Sequence, residues 1–170
     1  MGKETLSETT IDHTTEQNLD ELDGHDTRNE SQSGIEQLPV FGYDLIREYL
    51  LNEILGQDAP QLLYWGGKQL ARKFPLNSVE EICEFFRNAG WGSLEQIKLS
   101  RDESLFELSG EPVLRRLSIN TDCHFQLEAG FLAQQFQYQK RVSSEAVEER
   151  KKRSKKVSLI VKWDLKDVIG

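Results

Sequence analysis

Two adjacent glycines inside a helical segment constrain this chain more than any other feature. The segment is LLYWGGKQLARKFP, residues 62–75, and it contains Gly66 and Gly67. A mid-helix glycine costs roughly 1 kcal/mol relative to alanine, so a helix tolerates one most readily where a side chain would not fit. We therefore expect either close packing of a core helix here or a groove wall for an apolar ligand or a partner helix.

The rest of the segment has the period and the end signals of an amphipathic helix. Pro60 suits its first turn, because the N–H that proline lacks is unpaired there anyway, and Pro75 ends it. The predicted apolar face consists of Leu62, Leu63, Gly66, Gly67, Leu70, Ala71 and Phe74. Trp65 lies on the polar face, where it either covers the stems of Lys68 and Arg72 or anchors a protein interface.

The negative charge is concentrated at the N-terminus. The formal net charge is -8, and residues 1–34 carry nine acidic residues against Lys3 and Arg28, a difference of seven. Because this segment is polar and lacks aromatic residues, we expect a disordered acidic tail over residues 1–34, solvated or recruiting a partner, and a single α+β domain over residues 35–170. The nearly neutral remainder gives no electrostatic argument for nucleic acid binding.

Helical spacing recurs in three further places. It runs from Phe41 to a stop at Gly56, and it resumes after a capping box formed by Ser78 and Glu81. A last helix is predicted over Cys123–Gln139, with caps at residues 120–122. This helix carries two apolar stripes, so we expect it to be covered on two sides, and Gly130 predicts another close backbone approach.

Strand-like patterns predict the remaining layer. Residues 94–99 and 104–108 form two strands, and we expect residues 113–119 to continue the second after a bend. Residues 140–148 and 156–164 form a closing hairpin. Its turn is strongly basic over residues 150–156, which is expected to be solvated, with anionic lipid, phosphate or the acidic tail as alternative partners.

The reactive residues favour a binding protein over an enzyme. Cys123 and His124 are adjacent, which matches no usual zinc spacing, and Cys83 has no second ligand near it in the sequence. We expect no catalytic residue, no metal site and no cofactor. With two cysteines and neither a secretory signal nor a membrane-spanning apolar run, we expect a cytoplasmic protein without an integral membrane segment.

Several runs of residues carry a family resemblance. Besides the glycine segment they are AGWG at residues 89–92, LFELSG at 105–110, QLEAGF at 126–131 and the strand at 157–164. Over about residues 38–165 the chain resembles the YslB-like family of uncharacterised bacterial proteins. It is more remotely similar to TRAPP vesicle-tethering subunits and 4-vinyl-reductase-type hydrocarbon-binding domains. The matching positions there are Gly66, Gly67, Leu70, Ala71, Gly90, Gly92, Gly130 and Leu132.

The resemblance implies an α+β fold of four main helices packed on a twisted antiparallel sheet of about four strands. It also implies dimerisation through helices and, in several relatives, an apolar channel for an acyl chain or another hydrophobic ligand. Covalent acylation is not implied, because the relatives' cysteine before the third helix is replaced by residues 75–78, PLNS, and Cys83 lies inside the helix.

We therefore expect a non-enzymatic homodimer that holds a small apolar ligand between the helices at residues 62–74 and 123–139. The alternative is a scaffold or adaptor that contacts an unknown protein partner and needs no small ligand. The candidates for ligand binding or close packing are Gly66, Gly67, Leu70, Phe74, Phe86, Gly130 and Phe131, and the interface candidate is Trp65.

Overall fold

The computed structural model of the protein describes residues 39–150 and 154–169. The predicted acidic tail and residues 151–153 of the basic turn lie outside this range. The helices are α1 (Val40–Asp44), a π-helical segment (Leu45–Leu50), α2 (Leu51–Leu55), α3 (Ala59–Lys73), α4 (Val79–Asn88), α5 (Glu111–Ile119) and α6 (Gln126–Lys140). The strands are β1 (Ser93–Leu99), β2 (Glu103–Ser109), β3 (Val142–Glu149) and β4 (Val157–Val168).

The predicted α+β class is confirmed. The four strands form one antiparallel sheet in the order β1-β2-β4-β3, and helices cover one face of it. Burial alternates along β2 and β4, as expected for a sheet with one covered face. The register places Phe106 opposite Leu159 and Ala146 opposite Val161, so the buried side chains form one apolar layer.

Helix α6 runs through the middle of the fold. Nine consecutive residues, Glu128–Phe136, are buried, because α3 packs on one side of the helix and β3 and β4 pack on the other. The predicted covering on two sides is confirmed. The buried side chain of Gln135 is hydrogen-bonded to the backbone just after α3. Gln135 Nε2 donates to the Phe74 carbonyl oxygen at 2.7 Å, and Gln135 Oε1 accepts from the Leu76 N–H at 3.0 Å. These bonds satisfy backbone polar groups where α3 ends.

The predicted strand over residues 113–119 is wrong, because these residues form α5 and add a helix to the four predicted. Gly110 has φ 101°, which reverses the chain, and Pro112 lies in the first turn of the helix, where its fixed φ is suitable. Val113 and Arg116 are the buried residues of this helix. Their i, i+3 spacing is helical, but the apolar run around them has the composition of a strand.

The predicted start of α6 is also wrong. The helix begins at Gln126 rather than Cys123, and Phe125 precedes it without a side-chain cap. A carboxylate oxygen of Glu148, from β3, accepts the Phe125 N–H, while the Asn120 side chain accepts the Asp122 N–H in a local turn. A tertiary contact therefore replaces the local cap that the sequence favours.

Residues 40–55 form one continuous helical rod, here called the N-terminal helix, which ends at Gly56 with φ 58°. The helix was predicted, but its apolar stripe faces outward. Phe41 and Ile54 are each 68% exposed, whereas Asp44, Arg47 and Glu48 are buried. Helical spacing thus predicts this helix without predicting which face is covered.

Candidate functional site

Helices α3 and α6 are in direct backbone contact. A Cβ added at Gly67 would lie 2.8 Å from Phe131 N and closer still to the Leu127 carbonyl oxygen. A Cβ added at Gly130 would lie 2.8 Å from the Tyr64 carbonyl carbon. The expected ligand position directly between these helices is therefore wrong at this crossing, because the two backbones fill the space.

Gly66 has different surroundings from Gly67. The nearest atom to a Cβ added there is Leu127 Cδ1, at 3.9 Å, which is an ordinary van der Waals distance. Leu63 and Leu70 share its helix face at i−3 and i+4, and both line a cavity. Only one glycine of the pair therefore faces a backbone.

The cavity has a volume of about 240 Å³ and lies between the N-terminal helix, α3, α5 and the start of α6. Its apolar wall consists of Ile46, Leu51, Leu63, Leu70, Trp91, Cys123 and Leu127. Its polar wall consists of Tyr43, Arg47, Glu48, Asn52, Arg116 and His124. The wall is largely apolar, with charged groups gathered on the N-terminal helix and α5.

The other candidates from the sequence do not line this cavity. Phe86 and Phe131 are fully buried in an aromatic cluster with Trp91, in which the Trp91 and Phe131 ring centroids are 5.3 Å apart. Phe74 is half-exposed, and its ring centroid lies 5.6 Å from that of Phe85. Of the residues predicted from the sequence, the structure places Leu70 in the cavity wall.

Trp65 is 61% exposed. Neither Lys68 nor Arg72 makes a cation–π contact with it among the described residues, and Lys68 Nζ instead lies 5.8 Å from the centroid of the Tyr64 ring. An interface role for Trp65 stays a prediction.

A buried ionic network joins the N-terminal helix to the rest of the fold. Arg47 Nη2 donates to Glu128 Oε1 at 2.5 Å. Arg116 donates through Nε to Glu48 Oε1 at 2.5 Å and through Nη1 to Glu128 Oε1 at 3.0 Å. Buried charges need such pairing, because desolvation of a lone ion is expensive. Burial lowers the pKa of Arg47, but Glu128, Tyr43 and Glu48 together outweigh burial and raise this pKa, so Arg47 stays cationic.

The π-helical segment supplies two members of this network. Arg47 and Glu48 are neighbours in the sequence, and both point inward from it. π-helical geometry is rare and occurs frequently at functional sites, where it redirects side chains. The sequence pattern does not predict this network, because adjacent charged residues on an amphipathic helix are typical of a solvated face. One signal was available: Glu128 is the only acidic residue in the run from Cys123 to Gln139.

Two buried polar atoms have no hydrogen-bond partner among the described residues: His124 Nδ1 and Glu128 Oε2. Burial and the positive charge of Arg116 lower the pKa of His124, so its imidazole is neutral at neutral pH. Burial raises the pKa of the Cys123 thiol, which therefore stays protonated. In residues 39–150 and 154–169, no group of three or more His, Cys, Asp or Glu side chains is placed to hold a metal ion.

The outward stripe of the N-terminal helix forms a second surface, here called the outer apolar face. It consists of Phe41, Leu45, Ile46, Tyr49, Leu50 and Ile54, all of which are exposed. Exposed apolar patches mark interaction sites more often than scattered exposed residues do. Separately, none of the described helices has both the length and the apolar character required to cross a membrane.

Comparisons with known proteins agree with this architecture. Residues 40–162 match the model of a family described as a protein of unknown function, DUF2507. A Bacillus subtilis relative, Uncharacterized protein YslB, is 47% identical over 133 residues, which cover 78% of this chain and 90% of the relative. A solved structure of a vinyl-4-reductase family protein from Methanocaldococcus jannaschii has a TM-score of 0.57 at 18% identity and covers 76% of this chain and 83% of that chain. The last match shows a shared fold, and the first two show that the chain belongs to the DUF2507 family, together with YslB.

Proposed function

We propose that this protein is a non-enzymatic, cytoplasmic binding module that holds a small apolar ligand in the cavity beneath its N-terminal helix. The cavity itself is the observation that carries the proposal. It is a partly open cleft of about 240 Å³ with a mostly apolar wall and a few polar groups, which are features of ligand pockets. That volume is near the lower end of the range for ligand pockets, about 300 Å³, so the proposed ligand is small.

The state of the reactive groups supports binding rather than catalysis. Arg116 uses its guanidinium to hold Glu48, Glu128 and the His124 carbonyl oxygen, so it is committed to structure. The protonated Cys123 thiol is a poor nucleophile. Cys83 and Cys123 are both free, as expected in a reducing compartment.

Native mass spectrometry of the full chain purified from cells tests the proposal. We expect a bound apolar mass that is lost in Leu127→Trp, in which a larger side chain fills the cavity. Ile97→Trp is the matched control, because Ile97 is exposed on β1. If no mass is bound and the protein also fails to take up added aliphatic molecules, the proposal is wrong.

We also propose that the module is a homodimer assembled through the outer apolar face. Within the described residues, six apolar side chains of one helix are exposed, and a second copy would cover them in a two-fold symmetric contact. The alternative function is a scaffold or adaptor that contacts an unknown protein partner through the exposed side chain of Trp65 and needs no small ligand.

Trp65 separates these two functions. It is exposed on α3, outside the outer apolar face, and tryptophan is frequent among energetically dominant interface residues. Under the adaptor function, Trp65→Ala should weaken partner capture and leave the fold and the bound small molecule unchanged. Unchanged capture and unchanged oligomer mass would remove the support for that function.

A further inference from the structure

The charged residues around the cavity are already neutralised by one another. Arg47, Glu48 and Arg116 line the cavity, and the two arginines pair with Glu48 and with Glu128, which is buried beside them. Two arginines therefore face two carboxylates. An anionic ligand head group would bring an uncompensated charge into a largely apolar space, which is unfavourable.

The unfilled hydrogen-bonding positions in this network accept rather than donate. Glu128 is fully buried, and its Oε2 has no partner among the described residues; a carboxylate oxygen can only accept. His124 lines the cavity and its imidazole is neutral; we assign its proton to Nε2, which leaves the unpartnered Nδ1 as an acceptor. Buried polar groups are nearly always hydrogen-bonded, so both atoms indicate a missing donor.

Arg47 offers a complementary donor at the same end of the cavity. Its Nη1 donates to Tyr43 Oη at 2.8 Å and its Nη2 donates to Glu128. A guanidinium carries five N–H groups, and these two bonds leave others for a ligand oxygen. A hydroxyl group is the simplest uncharged head group that can accept from Arg47 and donate to an open acceptor.

We propose that the ligand is an uncharged aliphatic molecule with a hydroxyl head group. The hydroxyl lies beside His124 and Arg47, and the aliphatic chain lies against the leucines of α3 and α6. This inference rests on the proposed function, since it names the class of ligand that the cavity takes. It excludes fatty acids and other anionic lipids as the preferred occupants.

Three small probes test the head group by isothermal titration calorimetry on the full chain. They are 1-octanol, its isomer 1-methoxyheptane, which lacks the hydrogen-bond donor, and octanoate, which is an anion. We expect 1-octanol to bind about fivefold to tenfold more tightly than the ether, as one added hydrogen bond predicts. Octanoate should bind at least about tenfold more weakly than 1-octanol.

Two substitutions of His124 test whether this residue accepts the hydrogen bond from the ligand hydroxyl. His124→Leu should remove the preference for 1-octanol over the ether, whereas His124→Asn, which keeps an acceptor near the position of Nδ1, should retain most of it. Loss of the preference in both variants would overturn the role of His124 as acceptor.

The probe series separates failure of this inference from failure of the proposed function. If none of the three probes binds, the proposed function fails. Equal affinity for 1-octanol and the ether would leave the apolar cavity as a binding site and overturn the hydroxyl head group. If octanoate binds most tightly, the argument from charge balance is wrong.

Discussion

The N-terminal helix and α6 are held in the fold in opposite ways. In α6 a run of nine residues is buried, and the helix is held by apolar packing and by backbone contact at Gly67 and Gly130. In the N-terminal helix the apolar side chains are exposed, and the buried residues include Asp44, Arg47 and Glu48. Apolar packing and close backbone contact hold α6, whereas buried ion pairs hold the N-terminal helix.

The comparison shows that an apolar stripe predicts a helix but does not predict which element packs against that stripe. Apolar burial is non-directional and follows the area removed from water, so the stripe of α6 is satisfied by whichever elements surround it. The stripe of the N-terminal helix finds no cover within the described chain. We expect four experiments to break or sharpen this contrast, from the largest effect to the smallest.

The largest effect should come from the network that holds the N-terminal helix. Arg116→Met leaves Glu48 and Glu128 buried with fewer compensating charges, and breaking such a pair costs about 3–5 kcal/mol. The free energy of unfolding in urea measures this loss. Lys162→Met is the control, because the Lys162–Glu103 pair is largely exposed and should cost less than about 1 kcal/mol. Equal losses would mean that the buried network does not hold the helix.

The next effect concerns the backbone contact of α6. Gly67→Ala should lower the free energy of unfolding by about 1–3 kcal/mol or more, because the new methyl group would overlap the backbone at Leu127 and Phe131. Gly66→Ala is the neighbouring control and should be neutral or stabilising by up to about 1 kcal/mol, because its methyl group has room. Equal stability of Gly67→Ala and Gly66→Ala would show that the backbone contact at Gly67 does not hold α6.

A smaller change in stability, with a clear change in mass, is expected at the outer apolar face. Ile54→Asp should convert the proposed homodimer to a monomer in sedimentation equilibrium, because a charge cannot be buried there without a partner. Unfolding of the monomer should change by no more than about 0.5 kcal/mol, as for other exposed sites. Val147→Asp, at an exposed apolar residue on β3, should leave the mass unchanged. A monomeric wild-type protein would contradict the homodimer.

The smallest effect should be a pH dependence of the free energy of unfolding that arises from His124, just before α6. Burial and the charge of Arg116 lower the pKa of His124 below its ordinary value of 6.5, while the unfolded chain keeps the ordinary value. Between these values the unfolded state binds the additional proton, so stability should fall as the pH falls from about 7 towards about 5.5. His124→Asn should reduce this slope in urea unfolding. An unchanged slope would show that His124 is not the group responsible.

Local signals predicted much of the fold. Ser78 accepts the Glu81 N–H at 3.1 Å, as the capping box requires, although the Glu81 side chain accepts from Asn77 rather than from Ser78 itself. The predicted closing strand forms, and its alternate residues from Val157 to Trp163 are buried. One error arose where a distant residue decided, because Glu148 replaced the expected cap at the start of α6. The other arose where Gly110 and Pro112 start a helix in place of the predicted strand.

The candidate site was much less predictable than the fold. The glycine pattern located the contact between α3 and α6, and Leu70 lies in the cavity wall, but the polar wall was missed. Arg47 and Glu128 are 81 residues apart in the chain and meet only because the N-terminal helix lies across the start of α6. Spacing along one helix cannot reveal such a pair.

The sequence by itself determined four of the five helices that the structure describes, the four strands of the sheet, the α+β class and the positions of the glycines. These depend on backbone preferences and side-chain periodicity within a few residues. The tertiary structure alone decided which face of the N-terminal helix is buried, which of the two adjacent glycines meets another backbone, and where space is left. Burial and charge pairing depend on residues that the chain brings together from distant positions, so they become defined only when the elements pack.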